Sequence, residues 1–321
     1  MTSKRPVMIC DGSNLFVRSW AAFPSMNANG EQMGGCIGFM KTLRRIVSEA
    51  QPRAVYVVWE GGGSARRRAI YSQYKANRKP EKLNRFYEDD LPDSDENRKH
   101  QLVTLLACLK KAPVCQLYVA NVEADDVIAH LCCNTFRDDE KIIVSSDRDF
   151  YQLLDERTRV YSLHKKTYVT HEQVLTDFGV LAQNFAVAKA LCGDLGDNVP
   201  GIKGMGWKTL NKLFPLLAAQ PNVLLQEVVD FSASHIDEGK MYRKVYEQAD
   251  DVRRNYRLVF LDGSMLSPDQ MHVIDRAVST YKPTVSKMEL IKIIVHEGLN
   301  DFDVHDFLHS FHSIDGIRYA T

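Results

Sequence analysis

The chain has 321 residues, with 41 basic and 41 acidic side chains, and 45% of it is apolar. That length suffices for one large or two smaller cored domains, and the neutral total excludes a uniformly polybasic binder while leaving local patches open. No apolar run approaches membrane-spanning length, and Met1-Thr2-Ser3-Lys4-Arg5-Pro6 is too short and polar for a signal peptide. The expectation is a cytoplasmic protein with no membrane partner. The seven cysteines (Cys10, Cys36, Cys108, Cys115, Cys132, Cys133 and Cys192) show no Cys-x-x-Cys spacing and read as reduced, mostly buried thiols.

The first half alternates short β-branched runs with helical patterns. Strands are predicted at 7–10, 54–59, 116–118, 141–145 and 158–161, and helices at 38–50, 101–111 and 124–136. This is an α/β pattern with a central, mostly parallel sheet. Between 75 and 101 the texture changes. Lys79 to Arg85 is basic, Glu88 to Glu96 is acidic, and Phe86 and Tyr87 lie between them, as expected of an exposed excursion. After about residue 170 the chain reads as helical, with helices predicted at 208–214, 223–229, 240–255 and 287–297. The expected organisation is an α/β core over 1–170, a helical region over 171–261 and an extension over 262–321. His305, His309 and His312 near the end read as packing or surface residues rather than metal ligands.

Carboxylates gather where the apolar runs stop. Asp11 and Glu60 follow the first two strands, Glu123, Asp125 and Asp126 precede a helix, and Asp147 and Asp149 follow a strand. Asp194 and Asp197 lie in Gly193-Asp194-Leu195-Gly196-Asp197-Asn198. In parallel sheets, ligands bind beyond the carboxyl ends of the strands, so Asp11, Glu60 and Asp147 converge on one edge. Crowded carboxylates repel one another and require a cation, and oxygen-only ligands select a hard one such as Mg²⁺. The pattern points to a metal-dependent enzyme acting on phosphate. The glycine-rich 200–209 segment (Gly201, Lys203, Gly204, Gly206, Lys208, Thr209) offers backbone N–H groups and a helix start to a nucleic-acid backbone. Lys75 and Arg78, one turn apart if helical, suit a scissile phosphate.

In their order and spacing, these segments resemble the flap endonuclease (5′→3′ exonuclease) family, especially its phage and bacterial branch, which shares a PIN-like core. The resemblance is carried by Asp11-Gly12-Ser13-Asn14-Leu15 with Arg18, and by Tyr74-Lys75-x-x-Arg78. It continues through Val122-Glu123-Ala124-Asp125-Asp126, Ser146-Asp147-x-Asp149, the Gly193–Asn198 segment and the glycine hairpin. Two positions depart from the family. Trp59-Glu60 stands where Phe-Asp is usual, and Arg66-Arg67 replaces Phe-Arg.

The resemblance implies a helical arch at about 75–101 and a helix–three-turn–helix around 201–206 gripping duplex DNA. It implies two or more Mg²⁺ ions, with Mn²⁺ able to substitute. One would be held mainly by Asp11, Glu60, Glu123 and Asp125, and a second would lie toward Asp147, Asp149, Asp194 and Asp197, with Asp126 shared or outlying. Lys75, Arg78 and Arg18 would be catalytic. Tyr74, Arg67, Lys79 and the glycine-hairpin residues would contact DNA. The substrates would be DNA with a 5′ flap or 5′ end, and RNA in RNA–DNA hybrids, handled by a monomer. The rivals are a PIN-like ribonuclease and a non-catalytic junction-binding module.

Overall fold

The computed structural model describes residues 5–63, 65–78 and 95–320. Lys79, the Phe86-Tyr87 pair and most of the expected arch lie outside the described residues. The order begins β1 (Val7–Asp11), α1 (Gly12–Ala22), α2 (Gly34–Ala50), β2 (Ala54–Trp59), α3 (Ala65–Ile70), α4 (Asp95–Leu109) and β3 (Cys115–Tyr118). It continues with α5 (Ala124–His130), β4 (Lys141–Ser145), β5 (Thr158–Ser162), β6 (Thr167–Val169), α6 (His171–Phe178) and α7 (Phe185–Cys192). A small ribbon, β7 (Gly193–Asp194) and β8 (Val199–Pro200), leads to α8 (Trp207–Leu213) and α9 (Leu216–Ala219). Then come α10 (Leu225–Ser234), α11 (Lys240–Glu247), α12 (Ala249–Val259) and α13 (Pro268–Thr280). The chain ends with β9 (Thr284–Val285), α14 (Lys287–His296), α15 (Val304–His309) and β10 (Arg318–Tyr319).

The main sheet has the order β3-β2-β1-β4-β5-β6, parallel except for β6, which runs against β5. Its central strands carry uninterrupted apolar runs, at 8–10, 55–59 and 142–144, because both faces are covered. Alternation along each strand divides the core. Ile9, Val58 and Ile143 face a layer containing α5, whereas Met8, Cys10, Val57 and Val144 face α2 and α4. The connections run outward from β1 to one edge and then return to β4 on its other side. The crevice at the ends of β1 and β4 is therefore the topological switch point, where such sheets bind ligands.

The structure adjusts several predicted elements. Residues 124–136 form α5 followed by a π-type turn, Leu131–Thr135, rather than one helix. The stretch 240–255 breaks at Gln248 into α11 and α12. Helix α4 starts at Asp95, so the expected arch does not extend to 101 as a free excursion. Gln101 is fully buried and accepts a hydrogen bond from the Gly35 N–H at 2.7 Å, tying that end to the core. Residues 287–311 complete the core: Leu290, Phe307 and Phe311 are fully buried in the cluster that contains α2 and α4. The cysteines are all unpaired thiols, and five of them are buried. No described helix is long and apolar enough to cross a membrane.

Candidate active site

The first wall of the site is built where β1 and β4 end. Asp11 leaves the sheet as the N-cap of α1 and accepts from the Asn14 N–H at 3.0 Å, so the strand end and the helix start fix its carboxylate together. Gly12 must be glycine here: a Cβ would stand 2.9 Å from the Val58 carbonyl of the neighbouring strand. The Ser145 hydroxyl donates to Asp11 Oδ2 at 3.0 Å and accepts from the Asp147 N–H at 3.0 Å, joining the two strand ends. Asn14 Oδ1 accepts from the Ser146 N–H and hydroxyl, closing the same corner. Asp147 Oδ1 in turn accepts from the Asp149 N–H at 2.9 Å.

Glu60, at the end of β2, is held by its backbone to the Ser13 hydroxyl. Its carboxylate accepts from the Gly63 N–H at 3.1 Å and the Ala124 N–H, at the start of α5, at 3.5 Å. The longer side chain at this position thus reaches the same corner from an exposed backbone. Burial, with Asp147 and Glu60 nearby, pushes Asp11 up to about 6. Burial raises Asp125 well above the ordinary carboxylate range; Lys75 gives partial relief, which Asp147, Asp11 and Glu123 oppose. Glu60 is raised by burial and by Glu123.

The second wall is helical. Gly193, at φ +81°, crosses the backbone of Gly201 so closely that a Cβ on the former would lie 2.3 Å from the latter's nitrogen. This pinch holds the β7–β8 ribbon and its carboxylates over the cleft. Asp194 Oδ1 accepts from the Gly196 N–H at 2.8 Å, and Asp197 Oδ2 accepts from the Tyr74 hydroxyl at 3.0 Å. Asp149, Asp194 and Asp197 each present an oxygen within 4.8 Å of the others, a spacing that fits a hard cation.

Lys189 of α7 donates to both Asp149 and Asp194. Sequence reasoning missed it. The signal was a lone lysine in the otherwise apolar Phe185-Ala-Val-Ala-Lys-Ala-Leu run, where a cation needs a buried partner. Burial still lifts Asp149 to about 7, with Asp147 and Asp194 opposing the help from Lys189.

Cations at the mouth connect the walls. Lys75 sits at φ +58°, a left-handed conformation of the kind stored at functional sites, with its N–H on the Asp197 carbonyl at 2.9 Å. Its ammonium donates to Glu123 at 2.7 Å and lies 3.8 Å from Asp197. Arg78 donates to Asp197 at 2.6 Å. Burial alone would raise Asp197, but Lys75 and Arg78 outweigh it and leave the group below the ordinary range. A cleft of about 750 Å³ is lined by Asp11, Arg18, Glu60, Lys75, Arg78, Asp125, Asp147, Asp194 and Asp197. An adjoining one of about 650 Å³ includes Asp149, Lys189, Gly206 and Trp207.

Other predicted residues lie elsewhere. Arg67, expected at DNA, is 2% exposed and turned inward. It donates to Glu123, twice to Asp126 at 2.7 Å, and to the Leu258 carbonyl. A guanidinium so buried is the internal partner of Asp126 and Glu123, which explains three carboxylates so close in sequence. Asp126 is thereby behind the cleft rather than on it. Tyr74, also 3% exposed, bridges Glu123 and Asp197 instead of facing outward. Gly201 serves the backbone crossing. Lys203, Gly204, Gly206 and Lys208 are exposed, Thr209 is half-buried, and of these Gly206, the N-cap of α8, lines a cleft.

Residues 6–179 match the family model described as the 5′-3′ exonuclease N-terminal resolvase-like domain. The 5′-3′ exonuclease of Aquifex aeolicus is 31% identical over 297 residues, 90% of this chain and 94% of the relative. This chain belongs to the 5′-3′ exonuclease family. The flap endonuclease Xni of Shewanella woodyi is 30% identical, over 79% of this chain and 92% of that protein. In Thermus aquaticus DNA polymerase I the 32%-identical match occupies 24% of the relative. Among solved structures, bacteriophage T5 5′-exonuclease with bound zinc shares the fold at a TM-score of 0.68 and 21% identity, covering 86% of this chain and 98% of that one. The T5 flap endonuclease in a pseudo-enzyme–product complex with DNA and metal ions gives 0.64 at 20% identity, covering 96% and 99%. The sheet flanked by helices is thus the PIN-like core that the resemblance implied.

Proposed function

We propose that this family member is a structure-selective 5′ nuclease that hydrolyses phosphodiesters of 5′-flap or 5′-end DNA, and of RNA in RNA–DNA hybrids, with Mg²⁺. The observation that carries this reading is the cleft itself. Carboxylates from β1, β2, α5, the β4 end and the β7–β8 ribbon meet there, with Lys75 and Arg78 at the rim. A pure junction binder gains nothing from an acidic floor, because it repels the phosphate backbone.

The oxygen-only donor set and the raised pKa values of Asp11, Asp125 and Asp149 fit hard divalent cations. Asp11, Glu60, Glu123 and Asp125 would hold one ion, and Asp149, Asp194 and Asp197 the other. Asp147, expected beside the second, is tied through Ser145 to Asp11 and so would stand between the two. An Mg²⁺ ion held there would lower the pKa of a bound water and stabilise charge on the leaving oxygen. The protein's own part is electrostatic and positional. Lys75 and Arg78, paired with Glu123 and Asp197 at rest, exchange those partners for the scissile phosphate. Arg18, exposed on the cleft wall, orients an adjacent phosphate. Arg67 and Tyr74 act from behind by holding Glu123, Asp126 and Asp197 in place. The exposed Lys203 and Lys208, with the free N–H groups at the start of α8, grip duplex backbone in the manner of a helix–three-turn–helix.

The test is a labelled 5′-flap substrate incubated with and without Mg²⁺, alongside an RNA–DNA hybrid and single-stranded RNA. Mg²⁺-dependent cutting near the flap junction is expected. Cutting confined to single-stranded RNA would favour the ribonuclease alternative, and tight flap binding without cleavage would favour the junction binder.

A further inference from the structure

The carboxyl-terminal helix α15 carries a feature the nuclease reading does not use. Its inner face is apolar: Phe307, and Phe311 just beyond it, are fully buried against the core. This anchoring turns His305, His309 and His312 outward, and all three are exposed. His305 and His309 stand at i and i+4 on α15, and His312 follows in the turn beyond its C-cap Ser310, its ring stacked on that of His309. Adjacent rings are stacked nearly parallel, with centroids 6.1 Å apart for His305–His309 and 5.4 Å for His309–His312.

A second observation concerns the outer ring. His312 Nδ1 lies 3.0 Å from the His309 carbonyl oxygen, which can only accept. In the neutral imidazole the proton therefore sits on Nδ1, and the lone pair is on Nε2, away from the backbone. This is the arrangement found at metal-bound histidines, whose other ring nitrogen donates to a carbonyl or carboxylate. The neighbouring carboxylates on this element are engaged. Asp306 pairs with Arg44 of α2, and Asp303 caps the helix by accepting from the Asp306 N–H at 2.9 Å.

We propose that His305, His309 and His312 form a surface site for a borderline divalent transition-metal ion of the Zn²⁺ or Ni²⁺ type, separate from the carboxylate cleft. Imidazole nitrogen suits these ions, whereas Mg²⁺ prefers oxygen. Two histidines at i and i+4 on one helical face form a recurring metal clamp. The rings stack rather than converge, so binding swings the exposed side chains between staggered rotamers to bring the Nε2 atoms together. No residue of α14 or α15 lines the acidic clefts, so the two sites take different cations on different elements. A bound ion would fasten the last turn of α15 to the Phe311–Ser313 turn that follows it.

The experiment is calorimetric titration of the full chain with Ni²⁺ in excess Mg²⁺, which keeps the carboxylates occupied. Wild type is expected to show one Ni²⁺ equivalent that His305→Ala/His309→Ala binds roughly a hundredfold more weakly, because the second ligand acts at high effective concentration. Ni²⁺ should raise the melting temperature of wild type and not that of the double variant. Nuclease activity in Mg²⁺ should be the same in both. His296→Ala, which removes an exposed histidine outside this cluster, should retain wild-type Ni²⁺ binding. Equal Ni²⁺ stoichiometry and affinity in wild type and the double variant would overturn the site, as would an equal loss in His296→Ala.

Discussion

The two walls of the cleft meet the same electrostatic difficulty by different means. On the sheet-edge wall, Asp11, Glu60 and Asp147 are held by a serine hydroxyl and backbone N–H groups, and Asp11 sits at about 6. On the helical wall, Lys189, Lys75 and Arg78 are already inserted among Asp149, Asp194 and Asp197, and Asp197 falls below the ordinary range. Neutral donors orient a carboxylate without cancelling its charge, whereas an internal cation does both. The first wall thus depends on an external ion to neutralise its charge, while the second carries its own cations, which hold Asp197 down but leave Asp149 raised to about 7.

Substitutions on either side test this contrast, and the sheet-edge wall should give the larger effect. Asp147→Asn keeps shape and hydrogen bonds but removes one charge from the ion's surroundings. Cleavage should fall by roughly a thousandfold, while flap affinity in Ca²⁺ changes little. Wild-type turnover in saturating Mg²⁺ would remove this wall from the chemistry. Lys75→Ala should slow single-turnover cleavage by about a hundredfold with a smaller change in affinity. A pure loss of affinity at an unchanged single-turnover rate would make Lys75 a binding residue only.

Much of this contrast was visible before folding, and the reason is local. A parallel strand buried on both faces must be an uninterrupted apolar run, so the carboxylate after it marks a strand end, as at Asp11, Glu60 and Asp147. The ordered motifs likewise placed Lys75, Arg78 and the Asp194–Asp197 pair at the cleft. What could not be read was which charges face each other. Arg67 is expected at nucleic acid from the family resemblance, yet burial makes it the partner of Asp126. Lys189 was hidden because its partners lie 40 residues upstream and 5 downstream. The division of 240–255 at Gln248 and the π-type turn after α5 were missed because both continue a helical period and are decided by tertiary packing.

Removing the internal cation should sharpen the comparison through stability. Lys189→Met leaves Asp149 and Asp194 facing each other and should lower unfolding stability in chelator by up to roughly 3–5 kcal/mol. Mg²⁺ should recover more stability in this variant than in wild type, because the ion takes over the lost charge. Equal recovery in both would mean that Lys189 and the divalent ion do not share a locus.

The smallest effect is the pH dependence of wild-type stability, and its sign sets Asp197 apart from the raised carboxylates Asp11 and Asp149. A carboxylate whose folded pKa is raised binds its proton more readily in the folded state. Its contribution is therefore full below the ordinary value near 4 and is lost as pH rises through the folded value. For Asp11 and Asp149 the losses run from near 4 up to about 6 and about 7 respectively. Asp197 behaves oppositely, contributing above the ordinary range and losing its contribution as pH falls through its depressed value. In chelator, denaturant unfolding should thus show stability falling by roughly 1–3 kcal/mol as pH rises from 5 to about 7.5. Divalent ions favour the ionised carboxylates, so Mg²⁺ should flatten or reverse that slope. Curves that coincide with and without Mg²⁺ would show that the raised groups do not meet the ion, whatever the cleft looks like.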